Sequence, residues 1–493
     1  MGYRQASVRR GGQNGMLLVF AVLLIAAAAL PVMVARYPQM TDYAAHLARY
    51  HVMLDLAKNL DLARHYAFAW AWSGNVGVDL VMNALGPGLG VERAGRLVAG
   101  AIPALTALAI LLVEWVLRRQ IGGGALLALA AVWSPSLVLG FLNYTLSLAL
   151  ALLAVALWIA TSSRRWRAPV FVAIGVVVYL CHQSGWGVLG VLVFGYELAV
   201  QRRLWAAALA TWPLWPPLAL VAMLGGGMAG AIGYGADPLQ WKLTNWLLAL
   251  AVEGVVPDLL LTALLGGAIM LAAVTRRIDP RIGWAALLLA LLSFAMPRHL
   301  GGGDFADYRL TAVALMTGCL AIDWPLTRVG LLLCSTPFLL RTGSIAADWH
   351  QRSVETEQAL AALSHIPRGV HVAAAVAWPA AGWKPQAWSH MACYATVRRD
   401  AATNADFAIP GLHMIRLRQP GAFSDPSQMV EQAPGIRPDL SQFAPASGAD
   451  YLWYFGDRQP AALPPGAAVI FRTANTSLIR LRPTNVSRQT SRP

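Results

Sequence analysis

At 493 residues, 57% of them hydrophobic and only 13% charged, the chain falls well below the roughly 25% charged residues of soluble domains, and its mean hydropathy is +0.53. A formal net charge of +14 would suit a nucleic-acid binder, but the arginines stand in short clusters between apolar stretches, which is how membrane proteins encode topology. Composition thus excludes an ordinary soluble domain and argues against nucleic acid as a partner. It predicts a polytopic α-helical membrane protein.

The first apolar stretch, 16–35, follows Arg4, Arg9 and Arg10. It is longer than the ~7–15 residues of a signal-peptide core, so the reading is an uncleaved anchor. Further spans are expected at 95–117, 122–141, 143–160, 168–182, 184–200, 204–224, 256–275, 282–296, 309–323 and 327–343, about eleven in all at ~20 residues per crossing. A shorter apolar segment, 76–90, reads as re-entrant or interfacial. Prolines in Trp212-Pro-Leu-Trp-Pro-Pro217 are expected to kink the span that holds them, and the glycine-containing stretch 225–245 suits a loop that gates a substrate. With the N-terminus in the cytoplasm, Arg118-Arg119, Arg164-Arg165-Trp-Arg167, Arg202-Arg203 and Arg276-Arg277 with Arg281 all fall on the cytoplasmic side. The opposite connections hold few cations, as expected for a bacterial inner-membrane protein.

That orientation puts the polar features on the non-cytoplasmic face. The first, Asp42, His46 and Arg49, has i, i+4, i+7 spacing, so one helix face would present all three. Asp42 suits a general base or a metal ligand, and His46 and Arg49 suit neutralisation of a phosphate or diphosphate, arginine through paired donors. The plainer reading is an interfacial amphipathic helix with Asp–His pairing. Asn143 lies in the turn Gly140-Phe-Leu-Asn-Tyr144, where asparagine also fits on local grounds, and His182 stands at a span end beside Gln183-Ser-Gly185. After Gly301-Gly-Gly303 come Asp304, Asp307 and Arg309, two carboxylates at i, i+3 that would suit a sugar hydroxyl, a divalent cation or a neighbouring arginine. If a metal is used, Mg or Mn held by Asp42 or Asp304 is the candidate.

From about residue 344 proline, charge and short alternating runs replace the long apolar stretches. Residues 353–366 read as an amphipathic helix ending before Pro367, and 370–377, 451–455 and 469–481 read as strands. The expected organisation is a transmembrane domain 1–343 with a first extracytoplasmic loop 36–94, a periplasmic soluble α/β domain 344–482, and a disordered tail 483–493. The four cysteines, Cys181, Cys319, Cys334 and Cys393, lack the spacing of a zinc site or disulfide framework. Asn475-Thr-Ser matches a glycosylation sequon, a pattern short enough to arise by chance.

A first span running into an outer loop with an early acidic residue, about ten more spans and a terminal extracytoplasmic domain resembles the GT-C superfamily of integral-membrane glycosyltransferases. The sequences Asp42-Tyr-Ala-Ala-His-Leu-Ala-Arg49, Gly140-Phe-Leu-Asn-Tyr144, Cys181-His182 and Gly302-Gly-Asp-Phe-Ala-Asp-Tyr-Arg-Leu310 look like those of a group of bacterial multi-pass proteins with this plan. The resemblance covers residues 1 to about 343. It implies a GT-C-like fold, a polyprenyl-phosphate-linked sugar as donor, a membrane-lipid setting, and Asp42 as catalytic base or metal ligand. The acidic pair common in that loop is absent, because Tyr43 follows Asp42, and no acceptor motif of the oligosaccharyltransferase type stands in the terminal domain. Both departures favour transfer of a single sugar to a lipid, glycan or protein acceptor. A transporter or flippase of a lipid-linked or anionic substrate would call for polar span interiors and repeat symmetry, neither of which is visible. A non-catalytic assembly protein, with the terminal domain as its working part, is the third reading.

Overall fold

The computed structural model describes residues 2–71, 73–224, 232–252, 254–300, 303–379, 387–408, 413–419, 429–432 and 436–481. Part of the expected gating loop (225–231) and the tail 483–493 lie outside the described residues. The chain divides into two compact units.

The first unit, Met1–Arg36, Trp72–Leu80 and Leu97–His350, is helical. Among the described residues, the helices Val91–Arg118, Leu142–Ala160, Val255–Val274 and Arg328–His365 are long and apolar enough to cross a membrane. Leu204–Ala210 and Trp212–Met223 make a fifth if joined across their 47° bend. The bend falls at Pro213, Pro216 and Pro217, which remove amide donors and clash with the preceding turn. Four shorter apolar helices accompany them: Gly15–Ala28, Arg167–Cys181, Pro280–Ala295 and Tyr308–Leu320. The chain is therefore a helical membrane protein with several apolar spans.

Two expected spans take a different form. The stretch 122–141 is not one helix but two short ones, Gly123–Leu129 and Pro135–Val138. Ser134 is extended (φ −83°, ψ 160°), the conformation imposed on a residue that precedes proline. The helix expected to end at 343 continues unbroken to Leu360, and so absorbs most of the separate amphipathic helix expected at 353–366. The segment 76–90 is a helix, Gly77–Leu89.

Close approach and buried ion pairs tie the spans together. A Cβ on Gly195 would lie 2.5 Å from the Ala285 backbone nitrogen, so the helix Gln183–Gln201 meets Pro280–Ala295 at a distance that only glycine permits. Arg341 donates to Asp258 at 2.9 Å and to the carbonyls of Trp133 and Leu250 at 3.0 and 2.6 Å. A charge this deep is tolerable because a carboxylate and two carbonyls meet its terminal nitrogens.

The second unit comprises Tyr37–Ala71, Val81–Arg96 and Gln351–Pro493, so the segment carrying Asp42 folds with the C-terminal part of the chain. Its strands are β1 (Tyr66–Phe68), β2 (His371–Pro379), β3 (Ala402–Thr403), β4 (Ile415–Leu417), β5 (Met429–Gln432), β6 (Tyr451–Phe455), β7 (Ala468–Arg472) and β8 (Thr476–Arg480). One sheet runs β3-β2-β6-β8-β7, with β5 also on β2. β2 pairs in parallel with β3, β5 and β6, while β8 is antiparallel to β6 and β7. The sheet is mixed. Val372–Ala377 are buried residue after residue, as in a strand covered on both faces. The expected strand at 469–481 is in fact the hairpin β7–β8, turned at Thr473-Ala-Asn475. β1 and β4 form a small antiparallel pair that brings Tyr66 and Ile415 into one core with Val52, Leu62, Leu452 and Ile479.

Candidate functional site

Asp42 occupies the N-cap position of the helix Tyr43–Asp55, although its side chain makes no cap bond. The helix is buried on every side from Tyr43 to Tyr50, with His46 9% and Arg49 5% exposed. The surface that covers them is supplied by the C-terminal part of the same unit. His390 Nε2 lies 3.7 Å from Asp42 Oδ1. Phe407 sits among three imidazoles, with ring centroids 5.2 Å from His46, 5.0 Å from His390 and 5.0 Å from His413.

The hydrogen bond on the far side of His390 sets its chemistry. Nδ1 donates to the Ala405 carbonyl at 2.6 Å, and burial pushes the imidazole down to about 4. The ring is therefore neutral near pH 7, with the Nε2 lone pair turned toward Asp42. A carboxylate oxygen and an imidazole lone pair thus approach each other as two acceptors. A hydroxyl proton delivered between them would find two bases. His413 is also held low, at about 4, by burial first and then by the Arg49 guanidinium and His390. With both histidines neutral, Arg49 is the fixed cation of the group.

Behind this cluster stands a buried acid. Asp406 is pushed up to about 6 by burial, against the hydrogen bonds of Tyr66, Cys393 and Thr396 that favour its charged form. The Tyr66 hydroxyl donates to Asp406 Oδ2, and the Thr396 hydroxyl lies 2.9 Å from the same oxygen. Asp406 anchors the turn that carries Phe407. All four cysteines are free thiols, and burial pushes Cys393 well above the ordinary thiol range.

The other sequence candidates lie in the first unit. His182 caps the helix Gln183–Gln201, its Nδ1 accepting from the Ser184 amide at 3.0 Å. The neutral ring must then carry its proton on Nε2, which sits 3.5 Å from Arg309 Nη1, a group that only donates. Two donors converge there, an arrangement that suits an anionic oxygen. The Arg309 guanidinium also lies over the Phe141 ring at 4.6 Å, and its Nη2 donates to the Asp304 carbonyl at 3.3 Å.

Asp304 and Asp307 do not converge. Asp304 takes Nε and Nη2 of Arg298 at 3.1 and 3.3 Å. Asp307, fully buried, accepts from Lys242 Nζ at 2.5 Å, Trp241 Nε1 at 3.0 Å and Asn245 Nδ2 at 3.3 Å. Asn143 is equally occupied: its Oδ1 accepts from the Val78 amide at 2.6 Å, and its Nδ2 donates to Asn75 O at 2.9 Å and Asp79 Oδ2 at 3.2 Å. Asp307 and Asn143 thus hold chain segments in place, and His182 and Arg309 are the pair whose polar atoms converge. Among the described residues, no three His, Cys, Asp or Glu side chains are grouped to hold a metal ion.

The sequence reading missed His390, Phe407 and His413. No spacing signals them, because they come from a short helix and connections between β2 and β4, and only the tertiary fold brings them to the Asp42 helix.

No protein-family profile matches the sequence, and no curated protein matches it. The structure does find relatives. Over 96% of this chain and 98% of theirs it superposes on two crystal structures of ArnT from Cupriavidus metallidurans, one bound to undecaprenyl phosphate and one in the apo state. The TM-score is 0.51 for each, at 12% and 11% identity. The chain thus shares the fold of these ArnT structures. The ArnT fold extends to the terminal sheet, which the sequence resemblance does not reach. At this identity the likeness concerns the fold alone, so the roles of individual residues must be argued from their own geometry.

Proposed function

We propose that the protein is an inverting glycosyltransferase that moves a single sugar from a polyprenyl-phosphate carrier to a lipid, glycan or protein acceptor. The setting is the periplasmic face of a bacterial inner membrane. With the N-terminus in the cytoplasm, as the arginine-rich short loops support, an odd number of passages near eleven would carry the terminal domain to the periplasm. The observation that carries the reading is the Asp42–His390 pair of bases beside Arg49, in a fold shared with a protein crystallised with undecaprenyl phosphate.

In the reaction an acceptor hydroxyl attacks the anomeric carbon. The new C–O bond forms as the bond from that carbon to the phosphate oxygen breaks, and polyprenyl phosphate departs with the bonding pair. Asp42 takes the hydroxyl proton, with the neutral His390 imidazole beside it as a second acceptor. Arg49, with His46 next to it on the helix, stabilises the charge that grows on the phosphate, and in a poorly hydrated site such a cation acts more strongly than in water. In the first unit, Arg309 and His182 Nε2 offer a second pair of donors for a substrate oxygen.

The test is the pool of lipid-linked sugars in a deletion strain complemented with wild type or with Asp42→Asn, at matched expression. The deletion and the variant are expected to accumulate one polyprenyl-phosphate sugar that wild type consumes. A pool that does not differ among the three strains would refute the assignment.

A further inference from the structure

A cavity lies within the C-terminal part of the second unit, and neither the Asp42 cluster nor the proposed transfer uses it. It encloses about 200 Å³ and is lined by Glu355, Gln358, Trp388, Phe455, Thr473 and Asn475, with two alanines completing the wall. That is below the ~300–1,000 Å³ of pockets for drug-sized ligands, and it suits a single small ring. Four elements build it: one face of the helix Arg328–Leu360, where Glu355 and Gln358 stand at i, i+3, the short helix Ala387–His390, the end of β6 at Phe455, and the turn between β7 and β8.

The lining divides by chemistry. Phe455 and Trp388 provide aromatic surface, and the first is almost wholly buried at 1% exposure. Opposite in character are a carboxylate (Glu355) and two carboxamides (Gln358 and Asn475). Among the described residues, no hydrogen bond or ion pair engages these three side chains or the indole N–H of Trp388. Glu355 and Asn475 are only partly exposed, so water does not serve them as fully as it serves a surface group. Elsewhere in this unit comparable groups are tied to protein: Asn404 accepts from the Ala374 amide at 2.7 Å, and Gln39 donates to Tyr37 O and Thr356 Oγ1 at 2.8 and 3.1 Å.

We infer that this cavity binds one pyranose ring of a glycan. A pyranose has an apolar face of C–H groups that stacks on an aromatic ring and an equator of adjacent hydroxyls, each both donor and acceptor. Carboxylates and carboxamides engage two neighbouring hydroxyls at once. A phosphate does not fit the same lining, because the one charged side chain in the wall is an acid. The inference does not depend on the transfer reaction, and it gives the terminal domain a recognition role separate from the chemistry at Asp42.

The experiment titrates purified full-length protein in nanodiscs with the methyl glycosides of glucose, galactose, mannose and N-acetylglucosamine, read by saturation-transfer NMR and tryptophan fluorescence. At least one glycoside is expected to saturate. Trp388→Ala is expected to weaken it about tenfold, Gln358→Ala to weaken it severalfold, and Asp42→Asn to leave it unchanged. Gln358 is exposed, so its alanine variant folds and decides the question if Trp388→Ala does not. Absence of saturation by all four glycosides overturns the inference, as does binding that Gln358→Ala and a folded Trp388→Ala leave intact. Loss of binding in Asp42→Asn would also overturn it, by locating the sugar at the transfer site. Abolished transfer in Asp42→Asn with no glycoside bound by wild type would sink this inference alone.

Discussion

At the scale of single residues, which proton each histidine carries separates structural from chemical roles. His390 gives its Nδ1 proton to Ala405 and keeps a lone pair toward Asp42, so it belongs with the base. Asp42→Asn keeps the size of the side chain and removes its basicity, and is expected to lower the transfer rate by at least ~100-fold, the lower bound for losing a positioned general base. His390→Gln leaves Asp42 in place and is expected to cost less, but to change the acid limb of the pH–rate profile. A profile identical to wild type would remove His390 from the site. His182 makes the complementary case, because its Nδ1 caps a helix while its Nε2 faces Arg309. His182→Ala is expected to cost about 1 kcal/mol of stability through the lost cap, and His182→Asn a few tenths, since asparagine caps well. If Nε2 binds substrate, both variants raise KM equally. If KM follows stability instead, the residue only caps. The spacing of Asp42, His46 and Arg49 made a shared helix face legible in the sequence but not their burial, since the helix is covered on every side from Tyr43 to Tyr50. The groups set against them come from more than 340 residues further along the chain, in short connecting segments where no periodicity operates.

At the scale of elements, glycine decides how closely the spans approach. In the helix Gln183–Gln201, Gly195 faces the backbone of Ala285, whereas a Cβ on Gly187 meets nothing within 4 Å. The same residue type on one helix therefore has opposite tolerances. Gly195→Val is expected to force the helix off Pro280–Ala295, with a drop in thermal stability in detergent and in folded yield, while Gly187→Ala is neutral or slightly stabilising through its better helix propensity. Equal melting temperatures for the two variants would contradict the close packing. Apolar length in the sequence revealed where helices lie but not where they break. The prolines after Trp212 bend their span as expected, but Ser134-Pro135 divides another span outright, whereas Pro337 sits inside a helix that runs on to Leu360. Proline acts through the hydrogen bonds that its neighbours can replace, and those depend on packing that the local sequence does not contain.

At the scale of the whole chain, the segment between the first two apolar stretches folds with residues more than 300 positions away, and this gives the second unit a definite response to acid. His390 and His413 each stand near 4 in the folded state against about 6.5 when unfolded, chiefly through burial. Between those values the unfolded chain binds protons that the folded one refuses, so stability falls as pH drops from about 6.5 to about 4. Asp406 works the other way. Its folded value near 6 exceeds the ordinary carboxylate value of about 4, so the folded state holds a proton in that window and gains stability as pH falls. Two histidines against one carboxyl leave a net loss toward acid. The groups facing them, Asp42 and Arg49, move with them in the same unit. The melting temperature followed by tryptophan fluorescence is therefore expected to decline from pH 6.5 to pH 4. Asp406→Asn removes the opposing contribution and makes the decline steeper, and His390→Gln makes it shallower. A flat profile in wild type, or an Asp406→Asn profile no steeper than that of wild type, would mean that these side chains are solvated rather than held in the packed interior of the unit. The early loop and the terminal domain could then not share the core that places Asp42 beside His390.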